Sequence, residues 1–342
     1  MLSTQNRRLA RPSLKQVVVS GIGGSVGLLG IVFAVALYIV ETLIRSKRLH
    51  SFLDLYQFTP FELNLPAEEV LFAPLYGDYQ VCGWYVPYPQ ATTTIIVCPG
   101  YRRSRSDVLG TCVHLWQAGH NILVFEYYGH GTVVGKPVTL GYREINDFLG
   151  AVAYARQRAP QTRLGVVGYS MGASVAIMAS ARTEHIEAIV ADSAFATHRS
   201  AVEYGVHRTL HLPFVLFHWM IDLLLWLRAG YRFHQVEPLR DIGRIAPRPI
   251  FLIHCLRDTV VNPQDATLLY QAAGEPKELW LLPDADHCGA YFVDRVTYID
   301  RLIEFFDLHL KKSRPPVSLQ SRMNNESEAT NGQAGSIFPE AS

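Results

Sequence analysis

The chain has 342 residues, 49% of them hydrophobic and 18% charged, with 31 Lys and Arg against 30 Asp and Glu. That balance excludes a wholly disordered or collagen-like chain. A net charge of +1 offers no general drive toward nucleic acid, whose phosphates demand a clustered basic excess.

The first break in texture is residues 17–40, 24 residues without a charge. As a helix rising about 1.5 Å per residue they exceed a hydrocarbon layer of roughly 30 Å, so a single-pass transmembrane anchor is expected over 17–44. Two other readings are weaker. A buried soluble helix seldom runs so long without charge. A signal peptide would have to be cut at Ala34-Val35-Ala36, inside the apolar run. Arg7, Arg8, Arg11 and Lys15 lie on one side and Arg45, Lys47 and Arg48 on the other, so the positive-inside rule leans only weakly toward a cytoplasmic amino terminus. Gly21, Gly23, Gly24 and Gly27 miss the dinucleotide fingerprint by one position and follow no strand, while Gly23 and Gly27 have the spacing that permits weak dimerisation of such helices. The expected organisation is a basic segment 1–16, the anchor, a linker 45–65, one catalytic domain 66–312 and a disordered polar tail 313–342. The anchor is expected to stand outside the domain.

Within the domain, short β-branched runs alternate with helical patterns, the signature of crossover units. Strands are predicted over 70–73 and 80–86 as an opening pair, then over 94–98, 122–125, 164–167, 188–190, 250–253 and 279–282 as buried parallel strands. Helices are predicted over 107–118, 142–158, 173–182, 263–273 and 294–310. The gap between Ala191 and Pro249 exceeds a plain crossover, so an inserted helical lid is placed at 196–240. Its stretch 213–227 carries one formal charge in 15 residues and is expected to wall an apolar pocket.

Gly168-Tyr169-Ser170-Met171-Gly172 sits between a β-branched run and an alanine-rich helix. A strand-to-helix turn that sharp leaves no room for side chains beside the serine, which is left exposed at a helix amino terminus. A serine hydroxyl needs a histidine to take its proton and a carboxylate to orient that histidine, in the chain order Ser, acid, His. Asp258 follows the 250–253 strand, and His287 follows the last strand, so both fall at the same sheet edge as Ser170. Asp258 is preferred over Asp284 and Asp286, which suit turn positions. His207 and His211 are spaced like a helical metal pair that Glu203 could join, but three groups in line along one helix cannot enclose an ion. Backbone N–H groups of Met171 and Tyr101 are the expected oxyanion donors, the latter in the Pro99-Gly100-Tyr101 loop.

These motifs resemble the α/β-hydrolase superfamily, and within it the membrane-anchored abhydrolase-domain serine hydrolases of the Bem46-like kind. The resemblance spans 66–312 and includes Glu126-Tyr127-Tyr128-Gly129-His130-Gly131, similar to the family's Asp-x-Arg-Gly-x-Gly turn, Asp192-Ser193-Ala194-Phe195, and the Arg-Asp-x-x-Val run around Asp258. The chain departs at Pro99-Gly100 and at His254-Cys255, where relatives carry His-Gly. What the resemblance implies is an α/β fold with a mostly parallel central sheet flanked by helices, and hydrolysis of an ester, thioester or amide through an acyl-enzyme, without metal or organic cofactor. The substrate would be a small-molecule or lipid acyl compound. An acyltransferase would use the same triad. A catalytically inactive binding domain is disfavoured, because every triad position holds a competent residue, and a peptidase of this fold usually brings a further domain.

Overall fold

The computed structural model describes residues 14–46, 58–131 and 137–311, with the side chains of 14–28 outside the described residues. The basic segment as far as residue 13, most of the linker, the side-chain surroundings of Gly23 and Gly27, and the tail expected over 313–342 therefore fall outside them. In chain order the elements are α1 (Leu14–Ile44), β1 (Glu68–Phe72), β2 (Val81–Val86), β3 (Thr93–Cys98), α2 (Leu109–Gln117), β4 (Asn121–Phe125), α3 (Glu144–Arg158), β5 (Arg163–Tyr169), α4 (Met171–Ser180) and β6 (Ile186–Asp192). There follow α5 (His198–Leu210), α6 (His218–Ala229), the short α7 (Pro238–Asp241), β7 (Ile250–Cys255), α8 (Gln264–Ala272), β8 (Lys277–Leu282), the short α9 (Ala290–Val293) and α10 (Arg295–Leu310).

The strands form one eight-stranded sheet in the order β1-β2-β4-β3-β5-β6-β7-β8. β2 runs antiparallel to both neighbours, and every later pairing is parallel. The continuous apolar runs are explained by a sheet buried on both faces: Ile96 and Cys98 of β3 enter one core and Ile95 and Val97 the other, as the two-residue period of a strand requires. Helices α2 and α10 cover one face, while α3, α4, α6 and α8 cover the other. All of the expected strands are present, several of them longer, β6 by four residues; but β8, expected to be buried, is the edge strand, where only Leu282 is buried because no strand covers its outer side.

Two boundaries differ from the sequence expectation. The linker 45–65 includes a folded 3-10 turn at Pro60–Leu63, capped by Thr59 and Glu62, and Leu65 is buried in the domain core. More consequentially, the second half of α1 does not stand apart. Ala36, Ile39, Val40 and Ile44 are buried in the same core as the sheet and α6, and Glu41 pairs with Arg228 of α6. The reason is chemical: an apolar helical face is equally at home against lipid and against protein, so hydropathy alone does not separate the two. Among the described residues no helix is long and apolar enough to cross a membrane.

If Ile39 is a core residue, Ile39→Ala should destabilise the catalytic domain by about 2–5 kcal/mol, the usual cost of emptying a buried aliphatic site. Urea unfolding followed by tryptophan fluorescence checks it; a residue of a free tether would leave the midpoint unchanged.

Candidate active site

Strand β5 ends at Tyr169, and α4 begins at Met171, so the single residue Ser170 makes the whole turn. It does so at φ 54°, ψ −119°, a conformation that costs a non-glycine residue on the order of 1–3 kcal/mol. The surroundings enforce it. A Cβ on Gly168 would lie 2.5 Å from Gly172 O, and one on Gly172 2.5 Å from Cys98 O, so neither position admits a side chain. The Ser170 N–H donates to Asp192 O at 2.8 Å, binding the elbow to the end of β6. Met171 opens α4, and its N–H belongs to the first turn, whose donors have no partner within the helix.

The three residues expected from sequence converge. His287 Nε2 is 2.9 Å from Ser170 Oγ, and His287 Nδ1 is 2.7 Å from Asp258 Oδ2. The carboxylate's other oxygen, Oδ1, accepts the Val260 and Val261 N–H groups, each at 2.8 Å. Burial by itself would raise the Asp258 carboxyl, but the nearby His254 imidazole together with hydrogen bonds from His287 and the Val261 N–H outweigh it and hold the group well below the usual carboxylate range. Asp258 is thus an anion at neutral pH, facing the nitrogen of His287 remote from the serine.

Asp284 and Asp286 are elsewhere employed. Asp284 pairs with Arg257 at the surface. Asp286 Oδ1 accepts the N–H of Thr259 at 2.8 Å and that of His287 at 2.7 Å, so it ties the loop of the acid to the loop of the histidine. Among the described residues no three His, Cys, Asp or Glu side chains gather as a metal would need, His207, His211 and Glu203 included. The Pro99-Gly100-Tyr101 loop lies directly against the nucleophile: a Cβ on Gly100 would be 3.3 Å from Ser170 Cβ.

Sequence reasoning missed the roles of several supporting groups, some of them within motifs it had named. His254, fully buried in β7, brings Nε2 to 3.3 Å from the same Asp258 Oδ2 that His287 uses. Its four-residue spacing from Asp258 was the available signal. Asp192, also fully buried, accepts Tyr298 Oη at 2.9 Å and Ser193 Oγ at 3.0 Å, and burial raises its carboxyl. Ser193 Oγ in turn accepts the Cys288 N–H at 3.2 Å, which anchors the residue after His287 to the end of β6. His130 Nδ1 accepts the Arg102 N–H at 2.8 Å, leaving Nε2 to donate to Glu144 Oε1 at 3.1 Å. Burial would raise Glu144, yet hydrogen bonds from His130 and Thr139 prevail and bring it down to about 2.

A family model described as the prolyl oligopeptidase family matches residues 138–313, a span that holds all three of Ser170, Asp258 and His287. The chain belongs to that family. The YqkD protein of Bacillus subtilis is 29% identical over 236 residues, which cover 68% of this chain and 76% of that protein. Among solved structures, the esterase Pf2001 of Pyrococcus furiosus superposes with a TM-score of 0.63 at 25% identity, covering 78% of this chain and 100% of that one. An acylaminoacyl peptidase of Pyrococcus horikoshii superposes with a TM-score of 0.57 at 15% identity over 79% of this chain but only 46% of its own length, a likeness of fold. The fold is that of the α/β hydrolases, and the chain is a serine-hydrolase-like member of them.

A carboxyl whose folded value lies below its unfolded one, about 3.9, contributes stability at every pH above 3.9 and loses it as pH falls toward the folded value. Asp258→Asn should therefore lower the urea midpoint at pH 7 and at pH 5. The gap to wild type should narrow at pH 3.5; a gap independent of pH would show that the carboxylate's charge is not what stabilises the loop.

Proposed function

We propose that the protein is a membrane-tethered serine hydrolase that cleaves an acyl ester or thioester, in the manner of the Bem46-like hydrolases it resembles. The observation that carries this reading is the hydrogen-bonded series Ser170–His287–Asp258, mounted on a strained elbow that presents Ser170 Oγ at the head of α4. Ser170 Oγ attacks the acyl carbonyl carbon while His287 Nε2 takes its proton. Asp258 steadies the resulting imidazolium, and the Met171 and Tyr101 N–H groups meet the oxyanion. Collapse expels the alcohol or thiol, which takes the proton from His287. Water, deprotonated by the same nitrogen, then attacks the acyl-enzyme, and Ser170 recovers its proton as the acid leaves. No step calls on a metal or organic cofactor.

An ester bond is favoured by the likeness to a protein described as an esterase, which this chain covers in full. An acyl chain is favoured by the lid: Val215, Leu216, Trp219 and Trp226 are exposed apolar groups on and before α6. The tether is favoured by the uncharged run 17–40. Because Val32, Val35 and the residues beyond them pack on the domain, only 17–31 is left for lipid, a length of about 22 Å against a hydrocarbon layer of roughly 30 Å. A helix so placed keeps the domain seated on the bilayer rather than on a stalk, with the lid's exposed tryptophans at the interface that suits their amphipathic rings.

Ser170→Ala should abolish fluorophosphonate labelling and reduce hydrolysis at least about 10⁴-fold while the protein stays folded. Labelling retained by the variant removes Ser170 as the nucleophile. Each methylene buried contributes about 0.8 kcal/mol, so kcat/KM for p-nitrophenyl esters should rise severalfold per two-carbon step from acetyl until the groove fills. Replacing Trp219, Leu223 or Trp226 by a polar residue should flatten that rise. A wild-type profile that peaks at acetyl, or activity on acyl-amides alone, overturns the acyl-ester reading.

A further inference from the structure

The loop that carries the expected oxyanion donor is fastened to the end of α1. Tyr101 Oη donates to Leu43 O at 2.5 Å, and Arg102 Nη2 donates to Thr42 O and Arg45 O. Thr42 and Leu43 belong to the last turn of α1, whose carbonyls find no N–H within the helix, and a guanidinium there also meets the negative end of the helix dipole. The loop thus supplies the cap that α1 lacks.

The fastening is tight on both sides. Arg102 holds φ 58°, in the left-handed region that non-glycine residues avoid, and its N–H is fixed by His130. Its neighbour but one, Gly100, abuts Ser170. On the other side, the end of α1 is held to the domain by the buried Ala36, Ile39, Val40 and Ile44, by the Glu41–Arg228 pair and by the Val138 N–H donating to Ile44 O at 3.0 Å. Two side chains thus join the end of α1 to a backbone that abuts the nucleophile.

We infer that the end of α1 is a positioning element of the active site: the side chains of Tyr101 and Arg102, docked on the carbonyls of Thr42, Leu43 and Arg45, hold the 99–103 backbone where it stabilises the transition state. The inference rests on the Ser170 hydrolase reading. It assigns the amino-terminal helix a second task besides attachment, because the geometry of the oxyanion loop then depends on how that helix is held. Removing an oxyanion donor costs about 10²–10³ in kcat, so loosening one by loss of its support should cost less than that ceiling but far more than a surface change.

The test uses the full-length chain in detergent, with Tyr101→Phe and Arg102→Gln on the loop side and Val40→Asp on the helix side. Readouts are kcat and KM on a p-nitrophenyl ester and amide hydrogen exchange over residues 99–104. The expected result is a 10- to 100-fold fall in kcat with KM within threefold of wild type, and exchange at least tenfold faster in 99–104 while the strand amides of β3 and β5 keep their protection. Arg102→Lys, which retains a cationic donor, should recover part of the loss. A kcat within twofold of wild type together with unchanged exchange in both loop-side variants overturns the inference. Should Val40→Asp fail to fold, those two variants decide alone, since neither alters a core residue. Should wild type neither hydrolyse nor label, the hydrolase reading falls, and exchange over 99–104 still decides whether α1 holds the loop.

Discussion

The backbone of Ser170 is the constraint to which the rest of the site answers. A non-glycine residue at φ 54° persists only where its surroundings over-determine it. Here they do so through three separate pieces of chain: Gly168 and Gly172 without side chains, Cys98 and Pro99 pressed against Gly172, and the Asp192 carbonyl drawn to the Ser170 N–H. Each piece is the end of a strand or the start of a helix in a parallel sheet. The nucleophile is therefore aimed by β3, β5 and β6 together, and no surface loop has to hold it.

Asp258 is the second hub. It sits two per cent exposed at the end of β7, and a buried carboxylate survives as an anion only when its lone pairs are filled. Two backbone N–H groups take one oxygen; His287 takes the other at 2.7 Å with His254 standing 3.3 Å away. Asp286 bridges the acid loop to the histidine loop, Ser193 bridges the histidine loop to β6, and Tyr204 Oη of α5 donates to the Asp258 carbonyl at 2.9 Å. The three loops are linked to one another as well as to the sheet, so His287 reaches Ser170 and Asp258 from a fixed position.

Most of this was legible in the sequence because parallel strands buried on both faces read as unbroken apolar runs, and a catalytic side chain on such a sheet sits within a few residues of a strand end. With the Gly168–Gly172 elbow and the chain order Ser, acid, His, that is what placed Ser170, Asp258 and His287. His254 was harder to place: its four-residue spacing from Asp258 is a weak signal, because a histidine at the end of an apolar strand meets that residue only once the next loop folds back upon it. The docking of α1 was hidden for a different reason. Ala36, Ile39 and Val40 continue the same uncharged run that suits a bilayer, and nothing in hydropathy marks where lipid gives way to protein. The one polar clue was Glu41, whose partner Arg228 lies 187 residues away.

That distant pair also bears on what the lid can do. At its amino-terminal side α6 follows the buried Phe214 and Phe217; at its carboxyl end the Ala229 carbonyl accepts Arg143 Nη2 at 3.1 Å, and Tyr231 stacks on Tyr142 with ring centroids 5.1 Å apart. Asp222, midway along the helix, takes the Arg232 guanidinium at 2.7 Å and the Phe233 N–H at 2.8 Å. The segment is thus held to the domain at both ends and in the middle, with α1 laid along it, whereas a swinging lid needs a few free backbone positions. α6 is a wall of the molecule, and its exposed Trp219 and Trp226 present a standing surface. A surface ordered during folding has no ordering cost left to meet when something binds to it.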